Sequence, residues 1–562
     1  MKSSLLSMLA AGLMLVGASR AHAEELKPVI VVSLSGYTQI YSDIEYLGGL
    51  TGNPELAGAL EAFLQQKKIL DSVDKDRPWG AAASPGGESA MEVVAFLPIT
   101  DIKQFLESIS EFAGEAEDIG DGVWQIEVQS IPVFLKSEGE WTFVGRSPES
   151  FANLPEDPLA LLDGMHEKYD VAVRIQPRNI PEEMRNTDQL RSVVERGLQQ
   201  QAEELTEEQQ AEAERLAREQ VEQINTMMND LDSVTIGWAI DQKSKRGVFD
   251  MTMIGAEGSK FAKDQSKVQL RKSNFASFFK PDAVTAVNAT IEIPEDQLAE
   301  MMKAIDQSQV KSEETIRESD ASDEEKERRI EGSKLGVELV KLVVESGQID
   351  MGMTMIGEGP FTVMGGGTVK DGARLQEIVE ELLKKAEEDP EVSDVKLNAS
   401  EHQGITFHTM MVSVPKDEKA KEMKELFGAK FPVVLGVGKT RGYFAIGEDG
   451  EEELKKLIGN AKSGTAAKAP PVRVAVALAP LLKLAATSNR NDLMMLTAAS
   501  SLEDNGNDKL KFQMVPEKNG MTVRFEVEEG VLSAAVTVAQ LQALRAMAGA
   551  GAGGGPGGGD AP

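Results

Sequence analysis

Val171-Ala-Val-Arg-Ile-Gln-Pro177 and Val474-Ala-Val-Ala-Leu-Ala-Pro480 are two versions of one pattern. Each is a short β-branched run that meets a proline, after which the sequence turns helical. Alternating valines suit a pleated, half-buried strand. Proline removes the amide donor that a continuing strand would need, so the run stops there.

Outward from this pair, further matches follow in the same order along the chain. Asp101, Phe105 and Ile109 correspond to Asp371, Leu375 and Val379, and Val93 upstream corresponds to Val363. Pro132-Val-Phe-Leu135 and Trp141-Thr-Phe-Val-Gly145 correspond to Pro432-Val-Val-Leu435 and Tyr443-Phe-Ala-Ile-Gly447. A closing hairpin, Val234 to Ile254 around Lys243-Ser-Lys-Arg-Gly247, corresponds to Leu510 to Val527 around Glu517-Lys-Asn-Gly520. Serial matches in one order predict a duplicated structural module.

The elements within a copy mix strands and helices. Val29 to Leu34 reads as a strand, and Ile40 to Val73 as helix broken at Gly48-Gly49 and Asn53-Pro54. Trp79 to Ser89, with Pro85-Gly86-Gly87, reads as a turn between two strands. Met91 to Leu97 reads as a strand. Asp101 is placed to cap a helix whose Ile102, Phe105, Leu106 and Ile109 share one face. Val123 to Val128, Pro132 to Lys136 and Trp141 to Gly145 read as strands, the last two joined at Ser137-Glu-Gly-Glu140.

This pattern predicts an α+β fold of two tandem related lobes. Each would be a mostly antiparallel, curved sheet with helices packed on one face. The expected divisions are a signal peptide over 1–23, a first lobe over 24–260, a linker over 261–281, a second lobe over 282–546 and a Gly-rich disordered tail over 547–562. Two charged helical insertions are expected, a hairpin over 181–230 and a second over 295–346 with a very polar middle, 311–331. Thr206-Glu-Glu-Gln209 has the capping-box form at the joint of the first.

Composition narrows the classes of function. The formal net charge of the 562 residues is −33, and cleaving a segment that holds Lys2 and Arg20 makes the mature chain more negative still. Such a surface repels phosphate backbones and anionic headgroups, so nucleic acid is not expected as a partner. The absence of cysteine removes disulfides, thiolate metal sites and thiol nucleophiles together. Aromatics are 5% of the chain and there are 24 Met, so cores are expected to rest on aliphatic and thioether side chains.

Met1 to Ala23 has the three parts of a secretory leader. Lys2 is the positive start, Leu5 to Ala18 the apolar run, and Ala21-His22-Ala23 the small-residue cleavage pattern. Cleavage after Ala23 and a periplasmic or extracellular location are expected, with no membrane span thereafter.

Several short motifs invite a chemical reading. Gly436-Val-Gly438-Lys439-Thr440 resembles a phosphate loop, but Val433 stands where its first glycine is needed and a strand follows where a helix should support the phosphate. A hairpin turn is expected instead. Gly365-Gly366-Gly367 precedes the Asp371 helix, and close backbone packing is the expected reason. Met351, Met353 and Met355 alternate, as do Met251 and Met253. Soft thioethers suit Cu(I), while the competing expectation is a Met-lined sheet face packed under helices. His402 and His408 share a face only if their strand is unbroken, and Gly404 lies between them. His166 completes the mature set of histidines. Ser72-Val-Asp-Lys75 and Ser413-Val-Pro-Lys416 fit a loose S-x-x-K pattern without its companion motifs. No residue stands out as catalytic or as a metal ligand, and no cofactor is implied.

Phe96-Leu-Pro-Ile-Thr-Asp-Ile-Lys-Gln-Phe105 and the Trp141-Thr-Phe-Val-Gly145 hairpin are similar to uncharacterised exported bacterial proteins of the kind found in planctomycetes. That resemblance implies export and a repeated α+β build, and no activity. The leading expectation is an exported, soluble, non-enzymatic protein that binds a partner protein or an apolar ligand in the cell envelope. The alternatives are a hydrolase that uses Asp or Glu, favoured by two close, buried carboxylates, and a structural envelope component.

Overall fold

The computed structural model describes residues 27–50, 55–66, 68–86, 90–152, 154–181, 228–319, 321–415, 421–463, 468–488, 493–505 and 507–535, together with 215 and 222. The expected leader, the tail over 547–562 and nearly all of the 181–230 hairpin lie outside the described residues. The chain divides into two compact units, Met1–Lys267 with Glu517–Val523, and Val268–Pro516 with Arg524–Pro562.

In the first unit the elements run β1 (Ile30–Leu34), α1 (Tyr37–Leu50), α2 (Glu55–Gln66), β2 (Trp79–Gly86), β3 (Ala90–Leu97), α3 (Ile102–Ala113), β4 (Glu117–Gly120), β5 (Val123–Val128), β6 (Ile131–Glu138), β7 (Trp141–Gly145), β8 (Val171–Ile175), β9 (Leu231–Asp241) and β10 (Arg246–Gly255). The chain then continues through β11 (Thr285–Glu292), α4 (Glu295–Glu318), α5 (Asp323–Val344), β12 (Gln348–Ile356), β13 (Thr362–Thr368), α6 (Gly372–Ala386), β14 (Val392–His402), β15 (Ile405–Ser413), β16 (Lys430–Val437), β17 (Arg441–Ile446), α7 (Gly450–Ser463), β18 (Val472–Ala477), α8 (Leu478–Ser488), α9 (Leu493–Asn505), β19 (Lys509–Glu517) and β20 (Gly520–Glu528).

The fold is mixed α and β, with antiparallel pairing throughout the strand order that follows. In the first unit that order is β4-β5-β6-β7-β3-β2-β1-β8-β9, with β10 on β9. In the second unit it is β14-β15-β16-β17-β13-β12-β11-β18-β19. Strand for strand, the two orders agree.

Helix placement agrees at one position in particular. α3 follows β3 and α6 follows β13. α3 packs Ile102, Phe105, Leu106 and Ile109 against Leu135 of β6, and α6 packs Leu375, Ile378 and Val379 against Leu435 of β16. Each of these leucines follows a Pro-Val-X triplet, so sequence position and packing position coincide.

Around β6 and β16 the strands are packed on both sides, whereas a single covered face was expected. Leu135 opposes Val144 and packs under α3, while its neighbour Phe134 faces the other way into a core with Phe143, Phe151, Leu162 and Met165. In the second unit Leu435 packs under α6, whereas Val434 and Ala445 pack under Leu454, Leu457 and Ile458 of α7. Strand side chains alternate faces, so a strand whose two faces are both apolar buries them only if both are covered.

Trp79 to Gly86 is strand β2 rather than the expected turn. Its small residues were misleading: Ala82 is buried, and a side chain at Gly80 would collide with Phe96 and Leu162. The strand pairs with both β1 and β3. Residues 311–331, expected as a very polar middle, are helical on both sides of a short break between α4 and α5. This pair joins β11 to β12, so its counterpart in the first unit is α1 and α2, which join β1 to β2. The β8–β9 connection, residues 176–230, corresponds instead to α8 and α9. Residues 268–281 group with the second unit, where Phe275 and Phe278 are core residues.

Candidate functional site

The registers of the first sheet align its apolar residues in rows. Leu34 opposes Val171, which opposes Trp238, which opposes Phe249. The next row is Val32, Val173, Ile236 and Met251, and the third is Ile30, Ile175, Val234 and Met253. Directly opposed residues in antiparallel strands point to the same side. The intervening residues Val31 and Ala172 are buried in the core beneath Leu162, Met165 and Tyr169. The row residues lie on the opposite side, and apart from Val234, which is buried, they are only partly covered, with Val171 39% and Ile236 38% exposed.

The second sheet repeats the arrangement. Met353 opposes Val287, which opposes Val474, which opposes Phe512. Met355, Thr285, Val476 and Leu510 form the next row, and Met351, Ala289 and Val472 the one beyond. Met351 is 40% and Leu510 37% exposed. The three methionines therefore share a face, as their spacing predicts, but it is the more open one. Asp350, Gly352 and Thr354 take the buried side. Alternate residues along a strand are about 7 Å apart, too far for three thioethers to close on one ion without distortion. The face is chemically an adaptable apolar surface.

A second feature is a pair of carboxylates where the C-terminal ends of β1 and β9 meet the N-terminal end of β8. Asp43 on α1 is 5% exposed and accepts from Gln39 Nε2 at 3.1 and 3.2 Å and from Gln242 Nε2 at 2.9 Å. Asp170, just before β8, accepts from the Ile240 backbone N–H at 2.6 Å. Burial pushes the Asp170 carboxyl up to about 6, the Ile240 N–H works against that, and the neighbouring Asp43 carboxylate adds to it. Both acids are served by neutral donors, and among the described residues no ion pair reaches either. Sequence reading did not single them out, because acidic residues are everywhere in this chain. The one available signal was the place of Asp170 at the head of the duplicated strand.

The second unit carries a buried polar network of another kind. Asp350 accepts from Ser273 Oγ at 2.6 Å, from the Asn274 N–H at 3.0 Å and from Asn274 Nδ2 at 2.9 Å. Asn288 Nδ2 donates to Ser273 Oγ at 2.9 Å, Arg473 Nε donates to Asn288 Oδ1 at 3.2 Å, and an Arg441 guanidinium N–H donates to Asn274 Oδ1 at 2.8 Å. Every member is engaged, so the network ties residues 273–278 across the sheet and leaves Phe275 and Phe278 in the core. It is a fastening rather than an open site.

The remaining motifs fall as follows. Gly436 to Thr440 spans the turn between β16 and β17, with Val437 opposite Gly442, so it cradles no phosphate. Gly365 and Gly366 lie in β13, where an added Cβ would stand 2.5 Å from the Phe444 ring and 2.6 Å from the Tyr443 ring. The histidines are separated by a hairpin turn, His402 ending β14 and His408 lying in β15. His408 is fully buried: its Nδ1 accepts the Asn398 N–H at 3.2 Å, and Nε2 is 3.2 Å from Gln376 Oε1. Burial lowers its pKa, so the ring is a neutral core residue. His166 lies in the first unit, on the short helical turn 165–168. Ser72 Oγ has no hydrogen-bond partner and so no link to Lys75, while Lys416 lies outside the described residues. Among the described residues no group of three or more His, Asp or Glu is arranged to hold a metal ion, and no helix is long and apolar enough to cross a membrane. The chain matches no family model, no curated protein and no solved structure.

Proposed function

We propose that this is an exported, non-enzymatic binding protein made of two copies of one α+β module, and that the open apolar sheet faces hold an apolar ligand. The observation that carries the reading is the set of aligned apolar rows through Ile236 in the first unit and Met353 in the second, left partly exposed on sheets whose other faces are packed. Contiguous exposed apolar surface is costly in water and marks a place of interaction. Thioethers and branched aliphatics adapt to flexible chains better than to rigid polar groups. Duplication is supported by the shared strand order, by the equivalent seats of Leu135 and Leu435, and by the matching helix caps. Export is supported by the leader pattern of residues 1–23.

The test is binding of a dansylated fatty acid to the mature chain. Saturable binding is expected, and both Ile236→Asp and Met353→Asp should weaken it while leaving the far-ultraviolet circular dichroism unchanged. Failure of the wild-type chain to bind this probe or a panel of apolar peptides would overturn the reading. N-terminal sequencing of protein recovered from the envelope fraction tests export, with Glu24 as the expected first residue.

The hydrolase reading draws on Asp43 and Asp170, a close carboxylate pair in the first unit. Asp43 is 5% exposed, which leaves no approach for a substrate-sized group in this conformation.

A further inference from the structure

We propose that residues 536–544 of this chain are the resident occupant of the open apolar face of the second sheet. The proposal rests on the reading of that face as a binding surface, and it names what the surface holds when no ligand is present.

The face does not stop at β19. Phe512 opposes Val474, and the Phe525 ring on β20 lies against the Phe512 ring, with centroids 5.1 Å apart. Phe525 therefore extends the row of Met353, Val287, Val474 and Phe512 by one strand. Phe525 is 44% and Leu510 37% exposed, so the row is open at this border. Val527 stands two residues beyond Phe525 in the same strand, on the same face. It packs against the cluster of Ala479 from α8, Leu502 from α9, Val531 and Ala534. The helical turn over 529–535 thus sits at the edge of the open face, with Val531 and Ala534 buried.

The sequence beyond that turn reads as more of the same stripe. Steps of four and three residues from Ala534 reach Val538, Leu541 and Leu544. No charged residue occurs from Gly530 to Leu544, although the chain is 27% charged. A segment left in water by so acidic a protein has no need of that composition. Its length also suits the face. Nine residues continuing the helical turn would extend ~14 Å, about three strand spacings, which is the reach from Phe525 across Phe512 and Val474 to Val287. Arg545 and the glycines from Gly549 onward then end the apolar run. The segment is tethered at the border of the face, so its effective concentration there is about millimolar, above what a second copy or a free ligand ordinarily reaches.

The experiment is disulfide trapping in the mature full-length chain, which is specific because the protein has no cysteine. Phe525→Cys with Leu541→Cys, and Leu510→Cys with Leu541→Cys, are oxidised under mild conditions. Both target positions are well exposed, and two pairs keep the test informative if one variant folds poorly. At least one pair is expected to close within a single chain, at a rate independent of protein concentration. A control pair, Leu397→Cys with Leu541→Cys, should stay reduced, because Leu397 is exposed on β14 at the far border of the sheet. The proposal is overturned if neither pair links faster than the control. It is equally overturned if the links form between chains, which would make a second copy the occupant.

Dansylated fatty acid, measured in chains carrying Ile236→Asp, separates the segment from the ligand. Leu541→Asp should tighten dye binding several-fold, since it frees a face that the chain itself had filled. Disulfide closure without dye binding by either protein would keep the segment on the face and remove the ligand. Dye binding that Leu541→Asp leaves unchanged, with no disulfide, would keep the ligand and overturn the segment.

Discussion

Asp101 and Asp371 make the same helix cap. Both have extended backbone, φ −139 and ψ 101 for the first, φ −135 and ψ 107 for the second. Each turns one Oδ1 to two backbone N–H groups, Lys103 and Gln104 at 3.0 and 3.1 Å, Ala373 and Arg374 at 2.9 and 3.2 Å. The acceptor satisfies two donors that the first turn of a helix leaves unpaired, and its charge complements the positive end of the helix dipole. Asp101→Ala and Asp371→Ala are each expected to cost about 1 kcal/mol, and Asp→Asn at either position clearly less. Urea denaturation of the four variants checks this. Equal stability of the Ala variants and wild type would show that the caps contribute nothing.

Three consecutive glycines in β13 are expected to behave differently. A Cβ at Gly365 would stand 2.5 Å from the Phe444 ring, and one at Gly366 would stand 2.6 Å from Tyr443 and 2.8 Å from Phe275. At Gly367 the nearest atom is Met351 Cβ at 3.6 Å, an ordinary contact. Gly365→Ala and Gly366→Ala should therefore destabilise by about 1–3 kcal/mol through overpacking, with Gly367→Ala near neutral. Denaturant midpoints of the three variants decide between this and a role for the glycines in an anion site. In the latter case stability would be unaffected at all three.

Much of the architecture was legible in the sequence because it is written in alternation and caps. Val171 to Ile175, Pro432 to Leu435 and Asp371 carry period-two patterning or a capping side chain, signals that depend on near neighbours alone. β2 was missed for the opposite reason. Its Gly80, Ala81, Ala82, Ala83 and Pro85 have poor strand propensity, and only the tertiary neighbours Phe96 and Leu162 explain why small residues are needed there. The packing on both sides of β6 and β16 was missed because these strands are apolar on both faces, and periodicity does not say what covers each. Asp43 and Asp170 were invisible because 127 residues separate them in the chain, and only strand order brings them together.

Replacing Asp350 tests the fastening in the second unit. Asp350 is buried and accepts three hydrogen bonds from Ser273 and Asn274. Asp350→Ala leaves those donors unsatisfied inside the sheet, so a loss of about 2–4 kcal/mol is expected. Proteolysis should then cut first within 268–280, the segment that the network holds down. Unchanged denaturant stability, or a first cut elsewhere, would refute the assignment.

Asp170, half-buried, and His408, fully buried, give opposite pH dependences. The Asp170 carboxyl, raised to about 6 by burial and by Asp43, keeps its proton in the folded state over a range where the unfolded chain has lost it. Stability from this group is thus full below the ordinary value of 3.8 and is lost as pH rises through about 6, a change of about 1 kcal/mol once solvent screening at a half-buried group is allowed for. His408 has the reverse sign. Burial lowers its pKa, so the unfolded chain binds a proton first, and stability is lost as pH falls below the ordinary value of 6.5. Melts from pH 4 to 8 in chelator separate the two contributions. Asp170→Asn, which places a permanent amide donor beside Asp43, should remove the decline between about pH 4 and 6 and raise stability at pH 7. His408→Gln should remove the loss below about pH 6.5 at some cost in packing. An Asp170→Asn profile parallel to wild type across the lower window would mean that the Asp43–Asp170 pair does not hold a proton between its two carboxylates.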